Sequence, residues 1–120
     1  MADYREISQE YAKQGINAAF LLNGGAAVAM LTQAGDLAEK GYAPALTGGL
    51  LLWAAGTSIA AATWILAFIS TRYVDKSERE KGLEKKHLAT SDRFMMAGVV
   101  TLLISIGLFG SGCWLVARAF

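Results

Sequence analysis

Charged residues are concentrated in two parts of the chain and leave two long tracts without any charge. Most of the 21 Lys, Arg, Asp and Glu residues lie in segments 1–14 and 72–93. Residues 42–71 carry no charge, and neither do residues 94–117. A mostly apolar run of about 18 or more residues without charge is typical of a membrane-spanning helix. The pattern therefore predicts spans at residues 43–70 and 94–117.

A further span is predicted at residues 16–33, where the apolar run is interrupted by two asparagines and a glycine pair. Ahead of it, Tyr4, Ile7 and Tyr11 lie three and four residues apart, on one face of a helix. Segment 1–14 is therefore predicted to be an amphipathic cytoplasmic helix. It either lies at the membrane interface or continues directly into the first span.

Turn signals separate the first two spans. Gly41 suits the position after a helix that ends near Lys40, and Pro44 suits the first turn of the next helix.

The segment 72–93 is interpreted as a charged cytoplasmic loop. Asp75 and Arg79 lie four residues apart and support a helical extension of the second span into it. Thr90 or Ser91 is expected to cap the last helix.

These elements predict an all-α fold in one domain, residues 1–120: an integral membrane helical bundle of three transmembrane helices with a short N-terminal amphipathic helix. Segment 72–93 contains seven basic residues, whereas the loop between the first two spans contains only Lys40. Basic residues are enriched in cytoplasmic loops. We expect a multi-pass protein of the inner (cytoplasmic) membrane, with its N-terminus inside and its C-terminus outside.

Charge and motif content exclude several function classes. The net charge of +1 gives no basic field, so no nucleic-acid partner is expected. There is one histidine, His87, and one cysteine, Cys113, whereas a metal site normally needs three or four ligands. We interpret His87 as a solvated loop histidine and Cys113 as a small packing residue. Neither a phosphate-binding glycine loop nor a nucleophile elbow is present. We expect a protein that is not an enzyme and needs no metal or cofactor.

Asn23 is the most informative polar residue, because a side-chain amide in hydrocarbon is costly unless it is hydrogen-bonded. Adjacent Gly24 and Gly25 would let a second backbone approach closely or let the helix bend. Two interpretations stay open, an interhelical contact within a bundle and a line of residues facing a pore. Asn17 and Thr32, toward the two ends of the same span, belong to the same candidate group.

Small residues four apart indicate close helix packing at two places, Gly56 with Ala60 and Gly107 with Ser111. Three helices of this size bury little surface around one another, so a monomer would offer Asn23 few partners. We therefore expect a homo-oligomer, arranged as a ring with the first span innermost.

The ten residues Leu22-Asn23-Gly24-Gly25-Ala26-Ala27-Val28-Ala29-Met30-Leu31 resemble a segment found in many small bacterial membrane proteins. Some of those proteins resemble membrane effectors of anti-phage defence. The resemblance implies a bacterial inner-membrane protein and favours an oligomeric pore or effector.

The leading functional hypothesis is an oligomeric membrane pore or ion channel, one that depolarises the membrane when triggered. Its sensing or partner-binding surfaces would be the cytoplasmic segments 1–14 and 72–93. The second of these is expected to bind a cytoplasmic protein or a small-ligand trigger through Arg79, Lys81, Lys85 and Lys86. The first alternative is a non-conducting membrane anchor or small adaptor subunit of a larger complex, which uses the same loop. The second is a phage holin, although holins usually carry a basic cytoplasmic C-terminal tail and this chain is predicted to end outside.

Overall fold

The computed structural model describes residues 4–120, and all regular secondary structure in that range is helical. The described residues form four α-helices: α1 (Tyr4–Thr32), α2 (Ala34–Glu39), α3 (Ala43–Arg79) and α4 (Glu84–Ala117). A single 3-10 turn, Lys81–Leu83, connects α3 to α4. Helices α1, α3 and α4 are long and apolar enough to cross a membrane, with α4 the most apolar and α1 the least. The prediction of an all-α fold with three such helices is confirmed.

Helix α1 is one continuous element, so the polar N-terminal segment runs directly into the first apolar stretch. Residues 1–3 of the predicted amphipathic helix lie outside the described residues. Positions 6–14 are all exposed, including the apolar face positions Ile7 and Tyr11. The polar half of α1 therefore lies beside the other helices without burying its own side chains.

The connection from α1 to α3 has the turn that Gly41 and Pro44 predict. The short helix α2 ends at Glu39, and Gly41 has a positive φ of 87°, which a glycine adopts without steric cost. Pro44 lies in the first turn of α3.

The charged segment 72–93 is not a loop, because α3 continues through it to Arg79 and α4 already begins at Glu84. Asp75 and Arg79 form the i,i+4 ion pair, at 3.1 Å. Ser91 does not cap a helix, since it lies two turns inside α4, where it is buried. The two long helices thus form a hairpin whose turn is only four residues long.

Small residues spaced seven apart form the contact between α3 and α4. The buried faces carry Gly49, Gly56, Thr63 and Ser77 on α3 and Ser91, Gly98, Ser105 and Gly112 on α4. Ser70, half-buried, occupies the remaining position of the α3 series.

The two series meet in antiparallel register. The Ser70 and Ser91 hydroxyl oxygens are 2.9 Å apart, and each hydroxyl is also 3.0 Å from the other residue's carbonyl oxygen. One heptad further, a Cβ on Gly98 would lie 3.8 Å from the Thr63 methyl group. In the next heptad, the Ser105 hydroxyl donates a 2.8 Å hydrogen bond to the Gly56 carbonyl.

A strict seven-residue repeat keeps one face of each helix turned toward its partner, as in a left-handed coiled coil. Small side chains at those positions let the backbones approach closely enough for hydroxyls to reach carbonyls of the opposite helix. Gly56 and Ala60 are both buried on α3, whereas Gly107 and Ser111 are exposed on α4. Packing between the helices of this chain therefore uses a spacing of seven, and the pair Gly107–Ser111 takes no part in it.

Helix α1 lies on the hairpin and contacts α3 more extensively than α4. Its buried side chains are Ile16, Ala19 and Asn23. A Cβ on Gly15 would lie only 3.2 Å from the Leu102 side chain, so the contact begins at about residue 15.

The antiparallel register can be tested by cysteine cross-linking in a Cys113→Ser background. We expect Ser70→Cys with Ser91→Cys to form a disulfide in detergent under a mild oxidant, because the two Oγ atoms are 2.9 Å apart. The matched control is Ser77→Cys with Ser91→Cys, one heptad or roughly 10 Å out of register. Efficient cross-linking of the control pair, read by electrophoresis, would contradict this register.

Candidate functional site

Asn23 joins the three long helices at one point. Its side-chain nitrogen Nδ2 donates to the Ala19 carbonyl of its own helix at 2.9 Å. The same nitrogen lies 3.2 Å from the carbonyl oxygen and 3.3 Å from the hydroxyl of Ser105 on α4. Since the Ser105 hydroxyl donates to the Gly56 carbonyl, the chain of hydrogen bonds continues into α3. We call Asn23, Gly56 and Ser105 the polar junction.

Gly56 is required at the polar junction for steric reasons. A Cβ built on Gly56 would collide with the Asn23 side chain, at 2.8 Å from Nδ2 and closer still to Oδ1. Oδ1 is buried and accepts no conventional hydrogen bond within residues 4–120. The Cα hydrogen that replaces a side chain in Gly56 points at Oδ1, and such C–H···O contacts recur between closely packed helices. The Asn23 amide is thus enclosed. Its nitrogen donates hydrogen bonds, and its oxygen packs against the Gly56 Cα.

The expectation that a monomer would offer Asn23 few partners is wrong. Asn23 and Ser105 are both 0% exposed within one chain, and the amide nitrogen is bonded there. Of the two interpretations left open for Asn23, the structure shows the interhelical contact. The amide does not face a pore inside the chain, and no second copy is needed to satisfy its donors.

The other candidates of the first span are spread around α1. Gly24 is half-buried, and a Cβ there would lie 3.8 Å from the Thr57 hydroxyl on α3. Asn17 is also half-buried, whereas Gly25 and Thr32 are exposed. The Thr32 hydroxyl donates to the Ala29 carbonyl within the same helix at 2.6 Å. Of this group, Asn23 and Gly24 lie against α3, next to Gly56 and Thr57 respectively.

The second candidate surface is the end of the hairpin, residues 79–87, which we call the tip. Glu80 accepts a 2.8 Å hydrogen bond from the His87 ring nitrogen Nε2 across the turn, and Arg79 pairs with Asp75. The predicted binding residues Arg79, Lys81, Lys85 and Lys86 are all exposed. Within residues 4–120 the three lysines form no ion pair, so their ammonium groups are available to a partner.

His87 is not a solvated loop histidine. Its side chain is only 13% exposed, and its ring centroid lies 6.1 Å from that of Tyr73 on α3. Tyr73 in turn stacks on Phe94 of α4, with centroids 5.8 Å apart. Aromatic packing therefore extends the hairpin contact up to the tip.

The hydrogen bond from His87 holds the pKa of the Glu80 carboxyl below its ordinary value, and the charges of His87, Lys76 and Arg79 act in the same direction. The lowered pKa means that ionised Glu80 favours the folded tip. This contribution is present above the ordinary carboxyl pKa and is lost as the pH falls through the lowered value.

Within residues 4–120, no group of three or more His, Cys, Asp and Glu side chains could hold a metal ion. No family model matches the chain, and searches of curated proteins and of solved structures gave no significant match. The resemblance of residues 22–31 to small bacterial membrane proteins stays a prediction.

The steric role of Gly56 predicts that Gly56→Ala destabilises the bundle by about 1–3 kcal/mol, the usual cost of overpacking. The matched control is Gly107→Ala, where nothing lies within 4 Å of the new Cβ. We expect the control to be neutral or slightly stabilising, because alanine has the higher helix propensity. Thermal unfolding in detergent micelles measures both. Equal stability of the two variants would contradict the enclosed amide.

The Glu80–His87 pair predicts a shifted titration. In NMR of protein in micelles, we expect the Glu80 carboxyl to titrate with a midpoint below its ordinary 4.5. His87→Phe keeps a ring beside Tyr73 but removes the hydrogen bond, so the Glu80 pKa should rise toward the ordinary value. An unchanged midpoint in that variant would show that His87 is not the cause.

Proposed function

We propose that this protein is a multi-pass membrane anchor that presents the basic tip of a helical hairpin to an acidic protein surface in the cytoplasm. The observation that carries the proposal is the continuation of α3 and α4, as one packed hairpin, past their uncharged tracts. The molecule is 65 Å long, whereas the hydrocarbon core of a bilayer is about 30 Å thick. A large part of the hairpin would therefore project from the membrane.

The projecting part is held in one conformation by buried and paired side chains. Ser77 is 2% exposed, Tyr73 stacks on Phe94, and the Glu80–His87 pair spans the turn. A surface that is already ordered loses little conformational entropy when it binds. This supports a docking function, because the lysines of the tip are carried on a rigid support.

The distribution of charge supports both a cytoplasmic location of the tip and an acidic partner. Segment 72–93 holds seven of the 11 basic residues, which favours a cytoplasmic tip, with the N-terminus inside and the C-terminus outside. Lys81, Lys85 and Lys86 are exposed, and acidic side chains would complement them. The proposal assigns no catalysis, and the inner membrane of a bacterium follows from the resemblance of residues 22–31.

The test is photo-cross-linking in cells from a photoreactive amino acid at position 85. We expect one dominant soluble partner, identified by mass spectrometry. The triple charge reversal Lys81→Glu, Lys85→Glu and Lys86→Glu should reduce its capture by at least about tenfold, because like charges would then face each other.

The matched control for the charge reversal is Lys40→Glu, an exposed basic residue in the connection between α2 and α3. The control should leave the cross-linked yield unchanged. Cross-links only to lipid or to further copies of this chain would overturn the anchor proposal. Equal capture of the partner by the triple variant would overturn it as well.

An oligomeric pore is the second candidate, and one observation favours it. Small residues remain uncovered on outward faces of the bundle, Gly25 and Ala29 on α1 and Gly107 and Ser111 on α4. Such faces suit helix packing between copies in a membrane. In this second proposal, several copies would assemble around an ion pore lined by outward side chains of α1, such as Thr32. A trigger bound at the tip would open the pore.

Planar-bilayer conductance, with the oligomer mass measured on the same sample, separates the two candidates. Discrete conductance from a defined oligomer that is lost in Gly25→Leu would support the pore. Absence of conductance from a monomer that still captures its partner would support the anchor.

A further inference from the structure

A groove separates the N-terminal half of α1 from the hairpin. It has a volume of about 620 Å³, within the usual range for ligand sites, and it is bounded by α1 on one side and by α3 and α4 on the other. Ile16 is the lining residue of α1 nearest to the polar junction, about two turns before Asn23. From there toward the N-terminus, the described side chains of α1 at positions 6–14 are exposed and do not fill the space.

The inner part of the groove lies within the uncharged tracts of both hairpin helices and is mostly apolar, with Thr63 and Ser70 as its polar lining residues. Its walls include Trp64 and Ala67 of α3 and Phe94, Val99 and Leu102 of α4. The stretch from Phe94 to Leu102 is roughly 12 Å long as a helix, close to half of a bilayer's hydrocarbon thickness. The inner part therefore matches the depth of one lipid leaflet on the tip side of the membrane.

The outer part of the groove mixes polar residues with the apolar Val74 and Leu88, and it carries one charge of each sign. Lys13 and Gln9 lie on the α1 wall, and Asp92 and Thr71 lie on the hairpin wall. All four are exposed, and Asp92 is two residues before the uncharged tract of α4. A cation and an anion on opposite walls above an apolar slot are complementary to an amphiphile with a zwitterionic head.

We propose that this groove binds one diacyl phospholipid of the cytoplasmic leaflet whose headgroup carries both a phosphate and a primary ammonium group. An acyl chain fills the slot between Ile16 and Phe94. Lys13 binds the phosphate, and Asp92 binds the ammonium group. Bound lipid would tie the polar half of α1 to the hairpin, where the protein's own side chains leave a gap. The inference does not depend on what binds the tip.

Native mass spectrometry of detergent-purified, delipidated protein tests the site. The probes are phosphatidylethanolamine and phosphatidylglycerol with identical acyl chains, added separately at equal concentration. We expect one retained phosphatidylethanolamine per chain and weaker retention of phosphatidylglycerol. Lys13→Gln should weaken phosphatidylethanolamine retention by about fivefold, the usual effect of one basic residue on lipid binding. Asp92→Asn should remove the preference for phosphatidylethanolamine.

Ala12→Trp fills the groove, because Ala12 lines it and is exposed. The matched control is Ala62→Trp, an exposed α3 position outside the groove. We expect Ala12→Trp to lose the retained lipid and Ala62→Trp to keep it, while thermal unfolding shows both variants folded. Absence of any retained lipid in the unmodified protein, equal retention by the two tryptophan variants, or equal retention of the two phospholipids would overturn the assignment.

Discussion

The hydrogen bonds of one buried amide determine how the first helix sits on the other two. Asn23 is fully enclosed, and its nitrogen reaches backbone and hydroxyl oxygens of Ser105, which is itself bonded to Gly56. In an apolar environment a detached amide would lose these bonds without water to replace them. In a bilayer, apolar contacts would distinguish poorly between orientations of α1, because lipid tails are as apolar as leucine. The polar junction is therefore what specifies the position of α1 against the hairpin.

The hairpin itself depends on a different constraint, the close approach of two long helices. Glycine, serine and threonine at seven-residue spacing keep α3 and α4 in contact from Gly112 to Ser77, over most of the molecule's length. Hydroxyl groups in this interface bond to the opposite helix, as Thr63 does to Thr101 at 2.7 Å. The same interface continues into the charged segment through Tyr73, Phe94 and His87. The basic tip is therefore supported by two helices that pack against each other.

The three apolar helices and the turn between the first two were predictable because they follow from local rules: uncharged tracts, a glycine with positive φ at position 41 and a proline in the first helical turn. The charged segment was misjudged because its many ionic residues suggest solvent, although the i,i+4 pair of Asp75 and Arg79 already indicated helix. The partners of Asn23 were not predictable, since Ser105 lies 82 residues away and nothing local links the two. The seven-residue spacing of small residues was present in the sequence, but the small-residue pairs used for the prediction lie four residues apart and do not reveal it.

The most direct test of the account is a double-mutant cycle between Asn23 and Ser105. The free energy of unfolding in detergent would be measured for the unmodified protein, Asn23→Ala, Ser105→Ala and the double variant. We expect a coupling energy of roughly 1 kcal/mol, within the range found for interhelical hydrogen bonds in membrane proteins. Strictly additive effects of the two substitutions would show that the Asn23 amide does not hold α1 to α4, and the polar junction would lose its role.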